Sequence, residues 1–353
     1  GAVVVDAERC KGCELCVVAC PMKVLALSGE VNGKGYRFSR MVSPEDVRVA
    51  LLARAFVPIV ALRCTGRSLR SPDDVKNHSD MEEIKLMKGN EVVAEAAVRC
   101  GCDGYFGYPI TPQSEVLETL MEMRPWETSG MTVIQAESEV AAINMVYGGA
   151  ATGKRVMTSS SSPGISLMCE GLSYLAGAEL PCVVVNVSRG GPGLGTIQPS
   201  QADYFQAVKG GGHGDYHLIV LAPYSVQEMY DFVPLGFDLA FKYRNPVMIL
   251  SDGVIGQMME KVVLSPARPR WTDDRIAERC GAWAATGKPS SRGRNIVTSV
   301  ELDSLVQERF NLKLKAKYDA IRRDEVRFEQ TLCDDADYVI VAFGSSARIA
   351  LKV

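Results

Sequence analysis

The chain has 353 residues, and its 39 Lys plus Arg stand against 42 Asp plus Glu, a formal charge of −3 with three neutral histidines; this near balance argues against nucleic acid as a partner, because a basic surface is what neutralises phosphates. Hydrophobic residues at 47% and charged residues at 23% exclude disorder and fibrous repeats, and leave length for two or three globular domains. No apolar run approaches the roughly 18 to 20 residues that span a bilayer, and the first stretch, rich in cysteine and mixed in charge, is unlike a signal peptide, so a cytoplasmic protein with no membrane partner is expected.

Eleven cysteines are many for a reducing compartment, and four of them fall between Cys10 and Cys20. Cys10, Cys13, Cys16 and Cys20, followed by Pro21, spell CxxCxxCxxxCP, the spacing with which thiolates wrap an iron-sulfur cluster in bacterial ferredoxins. The other readings are a set of inert thiols or a zinc knuckle, which usually pairs two CxxC units across a longer gap. Such ferredoxins carry the run twice, and the fourth cysteine of each run ligates the other cluster. Here the second copy is emptied: Val47, Ala50, Ala53 and Val57, with Pro58 next, keep the spacing without a thiol. Crossed ligation then deprives Cys10, Cys13 and Cys16 of a fourth partner. Cys20 after a local rearrangement, Cys64 or a non-protein ligand would complete a 4Fe-4S cluster; a 3Fe-4S cluster, or a module that only packs against a neighbour, are the alternatives. Residues 1–64 are thus expected to form a small ferredoxin-like α+β domain.

Residues 65–83 are polar, with Gly, Ser and Pro and no apolar period, and read as a linker. From 84 to 265 the pattern alternates. A helix over Asn90 to Cys100 is followed by a strand in "CDGYFGY", a helix near Gln113 to Met123, a strand in "MTVIQA" and a helix from Glu137. Then come the strand "RVMTS", a helix after Pro163, the strands "PCVVVNVS" and "HLIVLAP", a helix with Ser225 and Glu228 as a capping box, and the strand "PVMILSD". Continuous β-branched strands separated by helices predict an α/β domain with a parallel sheet covered on both faces. Residues 266–330 read as connector, including a charged helical stretch from Leu305 to Glu329. In 331–353 the strand "DYVIVAFGSS" and a helix from Ala347 suggest the truncated start of a further α/β domain.

In open parallel sheets ligands sit at the carboxyl ends of the strands, which directs attention to three loops. Tyr108-Pro109-Ile110-Thr111-Pro112 is a proline-fixed turn presenting a threonine hydroxyl. In "QAESEVAAINMVYG", Glu139, Ile143, Val146 and Ala150 share one helical face, so Glu139 projects along an apolar stripe where a carboxyl is costly without a partner. Glu137 suits the helix mouth better. In "NVSRGGPGLG", Arg189 suits a carboxylate, and the glycines after it let backbone approach a ligand. Thr158 to Ser162 could add hydroxyls to this rim, although Ser162 also reads as an ordinary helix cap.

Together "YPITP", "QAESEVAAINMVYG", "TSSSSPGISL", "SRGGPGLG", "PSQADYFQA" and "KGGGHGDYHLIVLAP" resemble the α subunit of 2-oxoacid:ferredoxin oxidoreductases, closest to the branched-chain (2-oxoisovalerate) group. The start resembles the small ferredoxin-like subunit of the same complexes. The resemblance implies a thiamine diphosphate pyrimidine-binding domain, and with it oxidative decarboxylation of a 2-oxoacid with coenzyme A to acyl-CoA and carbon dioxide, electrons passing to ferredoxin. Pyruvate and 2-oxoglutarate are the alternative substrates. By motif, Glu139 would contact N1′ of the aminopyrimidine, Thr111 and Pro112 would stand near the reactive carbon, and Arg189 with Gly190 and Gly191 would hold the substrate carboxylate. The chain has no GDG; "SDG" at Ser251 to Gly253 lacks the first glycine. In the family the diphosphate and its Mg2+ are held by a partner β subunit, beside a γ subunit, so activity is expected only with a partner.

Overall fold

The computed structural model describes residues 25–33, 37–41, 60, 61, 83–333, 336 and 338–352. Cys10, Cys13, Cys16, Cys20, Cys64, the emptied second run and the linker up to residue 82 lie outside them. The chain divides into two compact units, Gly1–Phe56 with Gln330–Val341, and Val57–Glu329 with Ala342–Val353. In the first, β1 (Leu25–Val31) and β2 (Arg37–Met41) form an antiparallel hairpin in which Leu25 pairs Met41 and Val31 pairs Arg37.

The second unit is built on a seven-stranded parallel sheet. Its strands are β3 (Val60–Ala61), β5 (Gly104–Gly107), β6 (Thr132–Gln135), β7 (Val156–Ser160), β8 (Val183–Ser188), β9 (Ile219–Leu221) and β10 (Val247–Asp252), in the order β3-β9-β10-β8-β7-β5-β6. Alternation along each strand sorts side chains into two layers. Val183, Val185 and Val187 of β8, with Val247 and Ile249 of β10, pack under helices α1 (Gly89–Arg99), α2 (Ser114–Met123) and α7 (Val226–Tyr243). Val184, Met248 and Leu250 face the other way, under α4 (Glu139–Ala151) and α5 (Ser162–Gly177). At about 1.5–3 kcal/mol for each fully buried Val, Leu or Ile, these layers hold the central strands and fix where their carboxyl ends emerge.

The strands and helices expected between 84 and 265 are present, and the differences are local. The helix after "QAESE" begins at Glu139, not Glu137, because Ser138 is its cap and accepts from the Ala141 amide at 3.2 Å. Ser225 caps α7, accepting from Glu228 N, but Glu228 Oε2 accepts from Tyr224 N at 2.9 Å, one residue before the cap. An antiparallel pair escaped the sequence reading: β4 (Glu83–Lys88) and β11 (Met259–Leu264) pair over their full length, from Met259 with Lys88 to Leu264 with Glu83, so chain entry and exit lie side by side.

The connector is more ordered than its composition suggested. In α10 (Ser304–Asp324), Leu314, Tyr318 and Ile321 recur at helical spacing and are buried against the body. Lys313 and Lys317 pair there with the buried Glu179. Burial pushes the Lys317 ammonium down to about 8 although Glu179 pulls the other way. Between α9 (Asp273–Cys280) and α10 no regular element forms.

At the far end the expected strand "DYVIVAFGSS" does not form among the described residues. Residues 338–343 pair with no strand among the described residues, and Ile340 and Val341 are exposed. A strand exists only through its ladder, whatever its β-branched content. The short helix α11 (Gly344–Ala350) does form, earlier than Ala347, and its Ser345 hydroxyl bonds Asp252 at 2.5 Å. No helix among the described residues is long and apolar enough to cross a membrane.

Candidate active site

The three loops singled out in the sequence meet at the carboxyl end of the sheet, and Arg189 joins two of them. It follows β8, is buried, and donates from Nη1 to the carbonyl of Thr111 at 2.9 Å and from Nη2 to the carbonyl of Leu194 at 3.1 Å. Its Nε is buried with no partner. The guanidinium therefore ties the threonine turn to the glycine loop, and three of its five N–H donors remain for another acceptor.

The glycine loop has little freedom. Gly190 N donates to Gln198 O at 3.0 Å, Thr196 N donates to Gly190 O at 2.9 Å, and Gly193 and Gly195 adopt φ of 69° and 58°. A Cβ on Gly195 would lie 1.7 Å from the Gly190 carbonyl oxygen. Only glycine closes this turn. Ser162 corrects the sequence reading: the cap of α5 is Ser161, while the Ser162 hydroxyl accepts from Arg189 N at 3.0 Å and points at Arg189 O at 3.1 Å. The hydroxyl therefore locks β8 to α5 instead of capping.

Thr111 stands exposed at the rim, and its neighbours are held from beneath. The carbonyl of Pro112 accepts from Asn90 Nδ2 at 2.7 Å and Gln257 Nε2 at 3.1 Å, and the same two amides donate to the two oxygens of Glu115. Gln113, fully buried, donates to Tyr108 O at 3.1 Å and accepts from Ser159 Oγ, which also contacts the Tyr105 hydroxyl at 2.6 Å. Desolvation raises the Tyr105 pKa to about 12, so this chain stays neutral. The bracing residues Asn90, Gln113 and Gln257 were missed in the sequence, where buried amides carry no spacing signature. Replacing Asn90 and Gln257 together by Ala is expected to lower turnover roughly tenfold with little change in helical circular dichroism, because a loosened Pro112 misplaces Thr111.

Glu139 is buried at the first turn of α4, with Ala142, Ile143, Val146 and Ala150 also facing inward, while Glu137 is exposed. Its carboxylate sits above Gly164 in the first turn of α5. A Cβ on Gly164 would lie 2.5 Å from Glu139 Oε1 and 2.1 Å from Ser160 Oγ. A glycine in a helix costs about 1 kcal/mol against alanine; here it leaves room for the acid. The Glu139 side chain makes no hydrogen bond among the described residues, which leaves its carboxylate available to a ligand.

Two other cysteines are of another kind. Cys100 and Cys182 are buried, and desolvation pushes both thiols up to about 12, so they remain protonated packing groups. Among the described residues no group of three or more His, Cys, Asp or Glu side chains is placed to hold a metal ion.

The family model described as pyruvate flavodoxin/ferredoxin oxidoreductase, thiamine diphosphate-binding, matches residues 95–304. The chain belongs to this family. A 4Fe-4S binding domain model matches residues 3–26, so this oxidoreductase subunit couples a thiamine diphosphate-binding α/β domain to an amino-terminal iron-sulfur domain. Among relatives in the family, the ketoisovalerate oxidoreductase subunit VorB of Methanothermobacter thermautotrophicus is 52% identical over 75% of this chain and 73% of its own length. The 2-oxoglutarate synthase subunit KorA of Archaeoglobus fulgidus is 38% identical over 76% of this chain and 75% of its own. The solved structure of 2-oxoglutarate:ferredoxin oxidoreductase from Magnetococcus marinus, with 2-oxoglutarate, coenzyme A and succinyl-CoA bound, superposes with a TM-score of 0.65 at 28% identity, covering 80% of this chain. This chain spans about half, 53%, of that structure's chain. The donor set fits the family's cofactor: a carboxylate on the first turn of α4 and a buried, unpartnered hydroxyl at Ser160 lie at the carboxyl end of the sheet, where an acid and a hydroxyl suit the nitrogen edge of a pyrimidine.

Proposed function

We propose that this chain is the cofactor-activating subunit of a 2-oxoacid:ferredoxin oxidoreductase whose substrate is a branched-chain 2-oxoacid, 2-oxoisovalerate. The reaction consumes the 2-oxoacid, coenzyme A and two oxidised ferredoxins, and yields acyl-CoA, carbon dioxide, a proton and two reduced ferredoxins. Bound thiamine diphosphate supplies the carbanion that attacks the ketone and the electron sink for decarboxylation. Glu139 holds or yields a proton at its carboxylate against the pyrimidine edge, and this buried, unpartnered acid is the observation that carries the reading. Arg189 offers its remaining N–H groups to the substrate carboxylate, and Gly190 and Gly191 give the loop its close backbone approach. Thr111 lies beside that pair, its carbonyl already tied to the guanidinium.

Two observations favour an apolar substrate side chain over the distal carboxylate of 2-oxoglutarate. The loop after Arg189 presents Leu194 and Ile197, 81% and 61% exposed, with no cation among residues 190–198. Identity is also higher to the ketoisovalerate subunit than to the 2-oxoglutarate subunit. The domain at 1–64 would carry electrons through a cluster on Cys10, Cys13 and Cys16, with Cys20 or another ligand completing it. The remaining partners are a β subunit holding the diphosphate and Mg2+, a γ subunit and ferredoxin. The assembled complex is expected to turn over 2-oxoisovalerate with kcat/KM at least about tenfold above that for pyruvate or 2-oxoglutarate, as a methylene or two in an apolar pocket allows. A ratio favouring 2-oxoglutarate, followed by ferredoxin reduction, would overturn the branched-chain assignment while leaving the reaction class intact.

A further inference from the structure

The glycine loop departs after β8 at Arg189 and comes back at Pro199, where the two residues form an isolated antiparallel bridge. Pro199 lies against Gly253 beside Pro112: a Cβ on that glycine would stand 3.4 Å from Pro199 Cγ and 3.3 Å from Pro112 Cγ. The return is then tied to a segment far along the chain. Gln201 Nε2 donates to the carbonyl of Phe343 at 2.7 Å, and its Oε1 accepts from the Ser346 hydroxyl at 2.7 Å. Both ends of one amide are thus engaged by the first turn of α11. Gly344, inside that turn, has a φ of 56°, and a Cβ on it would lie 3.0 Å from Gln201 Nε2. The Phe343 ring packs on Tyr204 at the start of α6 (Tyr204–Lys209), with centroids 5.4 Å apart, and Asn186 of β8 donates to Asp203 at 2.9 Å.

We propose that Gln201 is a positioning residue for Arg189: it clamps the return of the glycine loop to α11 and so keeps the Leu194 carbonyl where it orients the guanidinium. This rests on the reading of Arg189 as the group that binds the substrate carboxylate. The Leu194 carbonyl accepts from Arg189 Nη2 at 3.1 Å. The Leu194 side chain is 81% exposed, so packing does not hold that carbonyl in place; the anchors of the loop do. The clamp rests on the body of the domain, because Ser345 of α11 bonds Asp252 and Arg348 bonds Glu260. An arginine that loses one tether samples more orientations, and a two-point grip on a carboxylate suffers from this more than a point charge would. Gln201 thus acts through the loop and not on the reacting atoms.

The test uses the assembled complex turning over 2-oxoisovalerate, with Gln201→Ala, Gln201→Glu and Ser346→Ala, and Arg189→Lys as reference. Gln201→Ala is expected to raise KM for the 2-oxoacid roughly tenfold, within the worth of two neutral hydrogen bonds, and to change kcat less than about twofold, because the weakened interaction is made in ground state and transition state alike. Gln201→Glu keeps the shape and the bond from Ser346 but sets a carboxylate oxygen against the Phe343 carbonyl. It should raise KM by a similar factor, which guards against a folding defect peculiar to the alanine variant. Ser346→Ala, at an exposed position, should raise KM less, and should add nothing further in the Gln201→Ala background, as partners in one contact do. KM equal to wild type in both Gln201 variants, with or without a lower melting temperature, would make Gln201 a packing residue and sink the proposal while Arg189→Lys still raises KM. A fall in kcat at unchanged KM would overturn it too, since the clamp would then serve the chemistry and not the carboxylate. Wild-type KM in Arg189→Lys would remove the underlying reading and this inference with it.

Discussion

Replacing Glu139 by Gln in the assembled complex is expected to cut 2-oxoacid turnover between about a hundredfold and ten-thousandfold, the usual worth of a positioned acid-base group. Glutamine has the same shape, so packing of Ala142, Ile143 and Val146 below it is preserved. It cannot take up or release a proton, and so it separates chemistry from structure. The visible absorption of the iron-sulfur domain should be unchanged, because the substitution lies in the α/β domain. The measurement is single-turnover formation of carbon dioxide beside the cluster spectrum. Unchanged turnover would mean that the α/β domain is a scaffold and that the chain serves as an electron-transfer module. Gly164 gives the result a second handle, since any side chain there collides with the Glu139 carboxylate and the Ser160 hydroxyl.

Much of this was legible in the sequence, for reasons that differ by element. The central strands are continuous β-branched runs, and burial on both faces leaves no other reading of "VVVNVS" or "VMILSD". Glu139 was legible because one acid on an apolar stripe violates the pattern around it. Ser160 was legible only as one of the hydroxyls from Thr158 to Ser162, and Gly164 was not, since its meaning comes from a neighbouring helix that only the fold brings near. The bracing of Pro112 by Asn90 and Gln257 is of the same kind: residues far apart in the chain share one carbonyl. The β4–β11 ribbon escaped because its pairing joins the two ends of the domain, and its alternation is obscured by the exposed Ile84 and Leu86. The strand expected at 338–343 failed for the converse reason, as its apolar sequence has no pairing partner among the described strands.

The largest effect is expected from the proposed division of the cofactor site between two subunits. This polypeptide alone, supplied with thiamine diphosphate, Mg2+, 2-oxoisovalerate, coenzyme A and an electron acceptor, should show no turnover, and a partner subunit bearing a GDG motif should restore it. Thiamine enzymes grip the diphosphate through a metal held by that motif, and the nearest match here is Ser251-Asp252-Gly253. Asp252 is already committed. It is buried, its Oδ1 accepts from the amides of Val254 at 2.8 Å and Ile255 at 3.2 Å, and its Oδ2 accepts from the Ser345 hydroxyl. Turning it toward a metal would forfeit a helix cap worth about 0.5–2 kcal/mol. Asp252→Ala in the complex should accordingly lower the melting temperature and leave the Mg2+ concentration for half-maximal activity unchanged. A shift of that concentration, or turnover by the lone polypeptide followed as carbon dioxide release, would place the diphosphate grip on this chain and refute the division of the site between two subunits.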